Sequence, residues 1–436
     1  MADVRPFRGL RYDPARAGDL GRLIAPPFDV ISPAQQRALH DASPYNAVHL
    51  EANLAPGAAR YSTAATLLRE WLGSGVLHTE REPAFYLYEQ SFRRGGRGYR
   101  RRAVFARVRL EPFERGIVRP HEYTLSGPKE DRLQLLRATR TNISPVFCLY
   151  RSDAANPLAR LALAEGAPGC VHAVDSAGDQ HALAPVLDPE AQQRIAAYLR
   201  PRTLYIADGH HRYETALRYR DERHAQAPSW TGDEPENFVL MGLTAADDAG
   251  LLILPIHRLV QRPADEAALG RIRQYFSLQE IEGDAGAPET LRAALAAQQA
   301  APDVAFVAAG LQTNRLTLLT LRDRAAVETL MPAERSPAWK GLDVSALQYG
   351  VLEAGLGIDL DAIAAGGIVE FTEDAEEAVA AVRTGRVPLA LLVRPTRAED
   401  IFAVADAGDR MPQKSTYFYP KLGTGLVFRS LDSDAN

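Results

Sequence analysis

RTLYIADGHHRYETALRYR, residues 202–220, decides how the chain is read. Leu204 to Ala207 form an apolar run short enough for one buried strand, and the residues after Gly209 form helices readily. Asp208 and Gly209 therefore sit at a strand-to-helix turn. Such a turn offers backbone N–H groups and the positive end of a helix, both suited to a phosphate, and a glycine lets a ligand approach the backbone closely. His210, His211 and Arg212 can donate to phosphate oxygens or polarise them. Asp208 reads equally as an N-cap, a metal ligand or a base, and Glu214 as a charge on the helix surface.

The same alternation runs outward along the chain. LLILPI, VAFVAA, LTLLTL and PLALLV read as short buried strands, and alanine-rich segments near 155–165 and 286–299 read as helices. Residues 84–92 and 99–110 read as a hairpin closed by RRGGRG, with six arginines crowding the turn. Residues 60–77 carry helical spacing at Ala64, Leu67, Leu68 and Leu72. Strands mixed with helices predict an α/β protein of the mixed α+β kind. A chain of 436 residues exceeds one ordinary core. Three regions are expected: 1–261 with the DGHHR turn, an alanine-rich supporting insertion at 262–331, and 332–436.

Hydrophobic residues at 46% and charged residues at 24% are the balance of a folded globular protein. A net charge of −5 disfavours DNA binding through overall charge. The two cysteines, Cys148 and Cys170, are too few for a disulfide framework and are expected in the core. No secretory leader or membrane-spanning run is legible, so a cytoplasmic protein with no membrane partner is expected.

Two further segments carry chemistry. In RPHEYTLSGPKEDRLQLLRATRTN, residues 119–142, a polar loop holding His121 and Glu122 leads into a helix opened by Ser126, Gly127 and Pro128. Glu122 beside a histidine suits a general base for a hydroxyl, with Lys129, Arg132 and Arg140 able to neutralise phosphate charge. In MPQKSTYFYPKLGTGLVF, residues 411–428, Lys414 is a candidate phosphate contact, although the glycines of a P-loop are missing. Near the N-terminus, rigid Pro- and Arg-punctuated loops offer Arg5, Arg8, Asp29 and Glu51 to a pocket. His210 and Glu214 stand four apart, but the HExxH pattern of a zinc site is absent.

Five ordered blocks, RPFRGLRY, APPFDVIS, HEYTLSGPKEDRLQLLRATRTNISPVF, IADGHHRYETAL and MPQKSTYFYPKL, resemble the signature of the domain of unknown function 1015 family. The DGHHR element is in turn similar to the phosphate-binding Gly, His and Arg motif of the ParB and sulfiredoxin superfamily, which includes kinases acting on free serine. That resemblance implies a ParB/sulfiredoxin-like core, phosphate contacts from Gly209, His210, His211 and Arg212, and Asp208 near magnesium or the acceptor hydroxyl. It departs from its relatives in two ways: no ParB-type DNA-binding helix pair is legible, and His210 stands where sulfiredoxin has its cysteine. The expected activity is phosphoryl transfer from ATP or another nucleotide to the hydroxyl of a small metabolite, with magnesium. Asp208, His210, His211 and Glu122 would act at the reacting atoms, while Lys129 and Lys414 held phosphates. A nucleotide-binding or nucleotide-hydrolysing regulator and a metal-assisted phosphatase are the alternatives.

Overall fold

The computed structural model of the chain describes residues 1–124, 126–161, 163 and 168–432, leaving out the side chains at 126–128 and 160. It divides into two compact units. The first comprises residues 1–120, 124–252 and 420–436, and the second 121–123 and 253–419. The positions expected to open separate regions, 262 and 332, both fall inside the second unit.

Among the described residues the first unit is built on a nine-stranded sheet. Leu204–Asp208 lies between Val118–Arg119, which it pairs in parallel, and Val146–Tyr150, which it pairs antiparallel. Phe238–Ala245 follows, then the expected hairpin, Phe85–Arg94 with Arg97–Arg109. Leu204 and Ile206 are fully buried in the same core as Tyr213 and Ala216 of the helix His210–Gln226. Strand and helix are thus glued to one apolar layer, which fixes the turn between them. The helix Ser126–Thr139 packs beside it through Leu133, Leu136 and Tyr219.

Local chemistry sets most element ends. The Asp188 side chain accepts from the N–H groups of Glu190 and Ala191, capping Pro189–Leu199 where proline at the first position has no N–H to satisfy. Ser32 and Gln35 form a reciprocal capping box on Pro33–Ala42. The helix expected at 60–77 is Ala59–Gly73, but the stripe it buries is Ala64, Leu68 and Trp71. Leu72 faces outward, and Leu77 opens a strand instead. Of the segment expected to be helical at 155–165, Pro157–Arg160 forms a 3-10 turn, and residues 162, 164 and 165 lie outside the described residues. Cys148 is buried as expected, whereas Cys170 is only partly so.

The second unit has a six-stranded antiparallel sheet, in the order Phe276–Ile281, Leu316–Leu321, Ala305–Ala309, Leu389–Leu392, His257–Val260 and Val369–Thr372. The helices Pro288–Ala300 and Ala375–Arg383 pack Leu291, Ala294, Ala378 and Val379 onto it. The alanine richness seen in the sequence is therefore a close-packed helix–sheet interface. Among the described residues no helix is long and apolar enough to cross a membrane.

The last stretch of the chain belongs to the first unit. Arg429–Ser430 pairs with Thr141–Asn142, and the fully buried Arg429 guanidinium donates to the Phe238 and Pro235 carbonyls at 2.8 Å and to Asn142 Oδ1 at 3.2 Å. These three acceptors are neutral, and the bonds to them help offset the cost of a buried charge. Arg429→Met leaves those carbonyls without their donor and is expected to lower stability by roughly 3 kcal/mol, read as a fall in the urea midpoint.

Candidate functional site

Asp208 is the centre of a buried ionic cluster in the first unit. The strand that carries it pairs Tyr205 with Leu149, Ile206 with Cys148 and Asp208 with Phe147, so Ala207 bulges out of register and re-aims the carboxylate. One carboxylate oxygen accepts from the Lys421 ammonium, and the other accepts from Arg212 Nη2 at 2.5 Å. Burial alone would raise the pKa of Asp208. The charges of Lys421 and Arg212, the Lys421 hydrogen bond and the nearby His210 overcome that and hold it at about 2.

Gly209 is required at the turn for two reasons. Its φ of 88° is left-handed, and a Cβ there would come within 3.0 Å of the Arg212 guanidinium carbon, which lies across it. Glycine also leaves the amino end of the 17-residue helix His210–Gln226 without a side-chain cap. Arg212 is nine-tenths buried. It donates from Nη1 to the Pro145 carbonyl and from Nη2 to Asp208, while its Nε is buried with no hydrogen-bond partner. The sequence offers Arg212 as a phosphate donor; in the structure its Nη1 and Nη2 are committed to protein and its Nε is left over.

The neighbouring residues divide between structure and chemistry. His210 is buried. Burial pushes the His211 pKa below its ordinary value, with Glu214 opposing and Lys129 and Arg212 assisting, so His211 is neutral near pH 7. It is a polar contact there and not a cation. Glu214, expected on the helix surface, accepts from Thr124 Oγ1 at 2.7 Å and Lys129 Nζ at 3.0 Å. Lys129 is thus an ion-pair partner binding two helices together. Arg140 is occupied similarly, pairing with Asp432 at 2.7 Å and Glu236 at 3.2 Å.

Two residues of weight were undervalued in the sequence. Lys421 carries no signal in the sequence beyond standing two residues before a glycine. Asp29, on the 3-10 turn Phe28–Val30, interacts electrostatically with Asp208, Arg212 and Lys421. Protein packed around it and the negative charge of Asp208 raise its pKa, while the two cations oppose. Asp29 nevertheless keeps an exposed surface. A carboxylate with protein crowded around it that water still reaches is one set in a concavity; the access to water tempers the desolvation, and the charge of Asp208 sustains the direction.

Beside that turn lies a cavity of about 220 Å³ lined by Phe28, Ile31, Glu51, Arg60, Asp131 and Arg132, among others. Arg132 sits 4.0 Å over the Phe28 ring and donates to the Glu51 carbonyl at 2.9 Å. The buried Glu51 carboxylate accepts from Ser144 Oγ at 2.7 Å. A smaller cavity of about 50 Å³ is lined by Glu51, Arg132, Ser144 and Arg212 among its residues. Glu51, offered to a pocket by the sequence, does line one. Arg5 and Arg8 are tied up elsewhere, Arg5 with Asp3 and Asp233 and Arg8 with the Glu80 carbonyl.

Glu122 and Lys414 belong to the second unit. There Glu122 Oε1 is buried without a hydrogen-bond partner, 3.8 Å from His121 Nε2, and its charge favours the protonated form of the buried Arg258. Lys414 is exposed on a turn with a left-handed φ of 57°. Among the described residues no group of three or more His, Cys, Asp or Glu side chains could hold a metal ion. Asp208, the expected magnesium ligand, already binds a cation at each oxygen.

The depressed pKa of Asp208 makes a stability contribution that is complete above the ordinary carboxylate range and lost as pH falls towards about 2. Lys421→Met removes one of the two cations. The acid unfolding midpoint is expected to rise by about one pH unit, the low end of what one neighbouring charge contributes, as followed by circular dichroism.

No curated protein matches the sequence. Several solved structures resemble it distantly. Free serine kinase in complex with AMP gives a TM-score of 0.33 at 12% identity, covering 72% of this chain and 86% of that one. A conserved hypothetical protein from Pyrococcus furiosus gives 0.34 at 11%, covering 76% and 97%. C-terminally truncated SbnI from Staphylococcus aureus gives 0.33 at 12%, covering 76% and 90%. Resemblance this distant assigns neither a site nor an activity. The family described as protein of unknown function (DUF1015) matches residues 4–345, and the chain belongs to it.

Proposed function

We propose that the protein is a nucleotide-dependent phosphotransferase acting on the hydroxyl of a small metabolite, a free hydroxy amino acid being the first substrate to try. One observation carries the reading: Lys421, Arg212 and the uncapped amino end of a long helix converge on a single glycine turn. Phosphoryl transfer depends on positioning and on charge neutralisation, and this turn supplies both.

The composition of the chain adds weight. It holds only four lysines, Lys129, Lys340, Lys414 and Lys421, among 50 basic residues. Three of the four fall in the segments singled out for chemistry. In a chain that otherwise uses arginine for positive charge, a lysine marks a place where a compact, mobile ammonium is needed and a planar fork does not fit.

In the proposed reaction the acceptor hydroxyl oxygen attacks the terminal phosphorus of the nucleotide. A new P–O bond forms to the acceptor as the bond to the bridging oxygen breaks, and the leaving nucleotide keeps the electron pair. Asp29 takes the hydroxyl proton, since its raised pKa and its access to solvent beside the cavity suit a base. Lys421, released in part from Asp208, follows the charge onto the phosphate, and Arg212 Nε and the helix end bind the non-transferring oxygens. His211, neutral near pH 7, donates an N–H bond, and His210 is a further polar contact. Asp208 does not fit as a metal ligand, so no step runs through magnesium. Glu122 remains the competing base, an unsatisfied acceptor on the second unit, with Lys414 as a phosphate contact there.

Purified protein incubated with ATP, ADP or CTP and a panel of hydroxy amino acids tests the activity. Acceptor-dependent loss of nucleotide with a phosphorylated acceptor supports it. Acceptor-independent hydrolysis would indicate a regulator, and phosphate release from phosphomonoesters a phosphatase. Arg212→Ala is expected to weaken nucleotide binding about tenfold, the loss of one charge-assisted hydrogen bond, measured by calorimetry. Asp29→Asn is expected to spare binding, to lower turnover by about a hundredfold or more, and to abolish the fall in rate as pH drops through the pKa of the base. Glu122→Gln should change turnover little, and the opposite pattern between these two variants would return the role to Glu122.

A further inference from the structure

Arg101 is among the largest fully buried side chains of the protein, and among the described residues no carboxylate pairs with it. It lies on the hairpin strand Arg97–Arg109, directly across from Gln90. Burial lowers its pKa, the sign of a cation held against its preference for water. Its neighbours Arg93, Arg97 and Arg100 point into solvent. An arginine with only neutral acceptors is a costly way to fill a core position, because an apolar side chain of similar volume would avoid the desolvation.

The acceptors show what the charge is used for. Nη1 donates to the Pro420 carbonyl, and Nη2 donates to Gln90 Oε1 at 2.7 Å and reaches the Lys421 carbonyl at 3.5 Å. The guanidinium sits 4.9 Å over the Phe147 ring, which holds its plane. Phe147 is the residue paired with Asp208 in the adjoining strand. Gln90 Oε1 also lies 3.1 Å from the Tyr88 hydroxyl, which in turn contacts His181 Nδ1 at 2.7 Å. Arg101 is therefore held rigidly from the sheet side. On its other side it grips the two carbonyls immediately before and at the residue whose ammonium binds Asp208. Leu422, next in sequence, is buried where Gly242 leaves room: a Cβ on Gly242 would stand 2.4 Å from it.

We propose that Arg101 is the positioning residue of the ionic cluster: by holding the carbonyls of Pro420 and Lys421 it aims the Lys421 ammonium at Asp208. The role rests on the reading of that cluster as the working site, yet it can be tested without any substrate. A lysine has four rotatable stem bonds, and without a fixed backbone its head group samples many positions. Arg101 confines the backbone, Asp208 captures the head group, and the ammonium is left with little freedom beyond the short exchange that phosphoryl transfer asks of it.

The four lysines make this measurable by competitive acylation of the folded, full-length chain with trace acetic anhydride, read peptide by peptide. In the wild type Lys421 should be the slowest of the four. Arg101→Met should raise its reactivity about tenfold, equivalent to one unit of pKa, while Lys340 and Lys414 keep their rates. Arg101→Lys, which can reach one carbonyl but not both, should give a smaller rise in Lys421 alone. If Arg101→Met fails to fold, all four lysines will react faster together, and Arg101→Lys decides. Lys421 labelled at the wild-type rate in either folded variant would overturn the proposal. A wild type without phosphoryl transfer would defeat the proposed activity and leave the labelling result standing. Transfer by the wild type, with labelling unmoved by both substitutions, would defeat the positioning role alone.

Discussion

A carboxylate buried between two cations is the constraint around which the first unit is arranged. Asp208 cannot be ionised in a protein interior without partners, and it recruits one from the helix that follows its strand, Arg212, and one from far along the chain, Lys421. Each partner then needs support of its own. Arg212 lies across Gly209 and leans on the Pro145 carbonyl, while the backbone behind Lys421 is held by Arg101. Removing any one member strands a charge, so local glycine, bulge and capping choices are all subordinate to the cluster.

This explains why the site combines a rigid frame with labile contacts. The carboxylate lies at the end of a fully buried strand, and the helix that follows shares that strand's core. The cations, in contrast, are held by hydrogen bonds that an incoming anion can compete for. A negatively charged ligand need not find an empty cradle; it can take over donors that Asp208 now occupies. Asp29 adds a second carboxylate whose pKa is pushed in the opposite direction, which is what the proposed division between a structural and a proton-transferring carboxylate requires.

Much of this was legible in the sequence wherever the cause was local. The apolar run before Asp208, the glycine turn and the helix after it follow from adjacent residues, as do the RRGGRG hairpin and the buried strands of the second unit. The helix at 59–73 was legible in type but not in phase, because Trp71 and not Leu72 completes its buried stripe. Lys421 and Asp29 were missed as members of the cluster because their relation to Asp208 spans some two hundred residues in either direction, and no spacing rule connects such distances. The two units were invisible for the same reason. The second occupies residues 253–419 and takes in 121–123, but residues 420–436 belong with the first, and no composition shift announces the return.

That return orders events during synthesis. The strand, the glycine turn and the helix of the site emerge early, and so does Asp29, but the ammonium that neutralises Asp208 is translated only after the whole of Ile253–Tyr419. Until then the nascent first unit carries a buried acid with one cation in place of two. A chain that ends between residues 212 and 420 holds Asp208 against Arg212 alone, a less stable product of the kind that cellular proteases remove. The late lysine is thus the last member of the ionic core to be made.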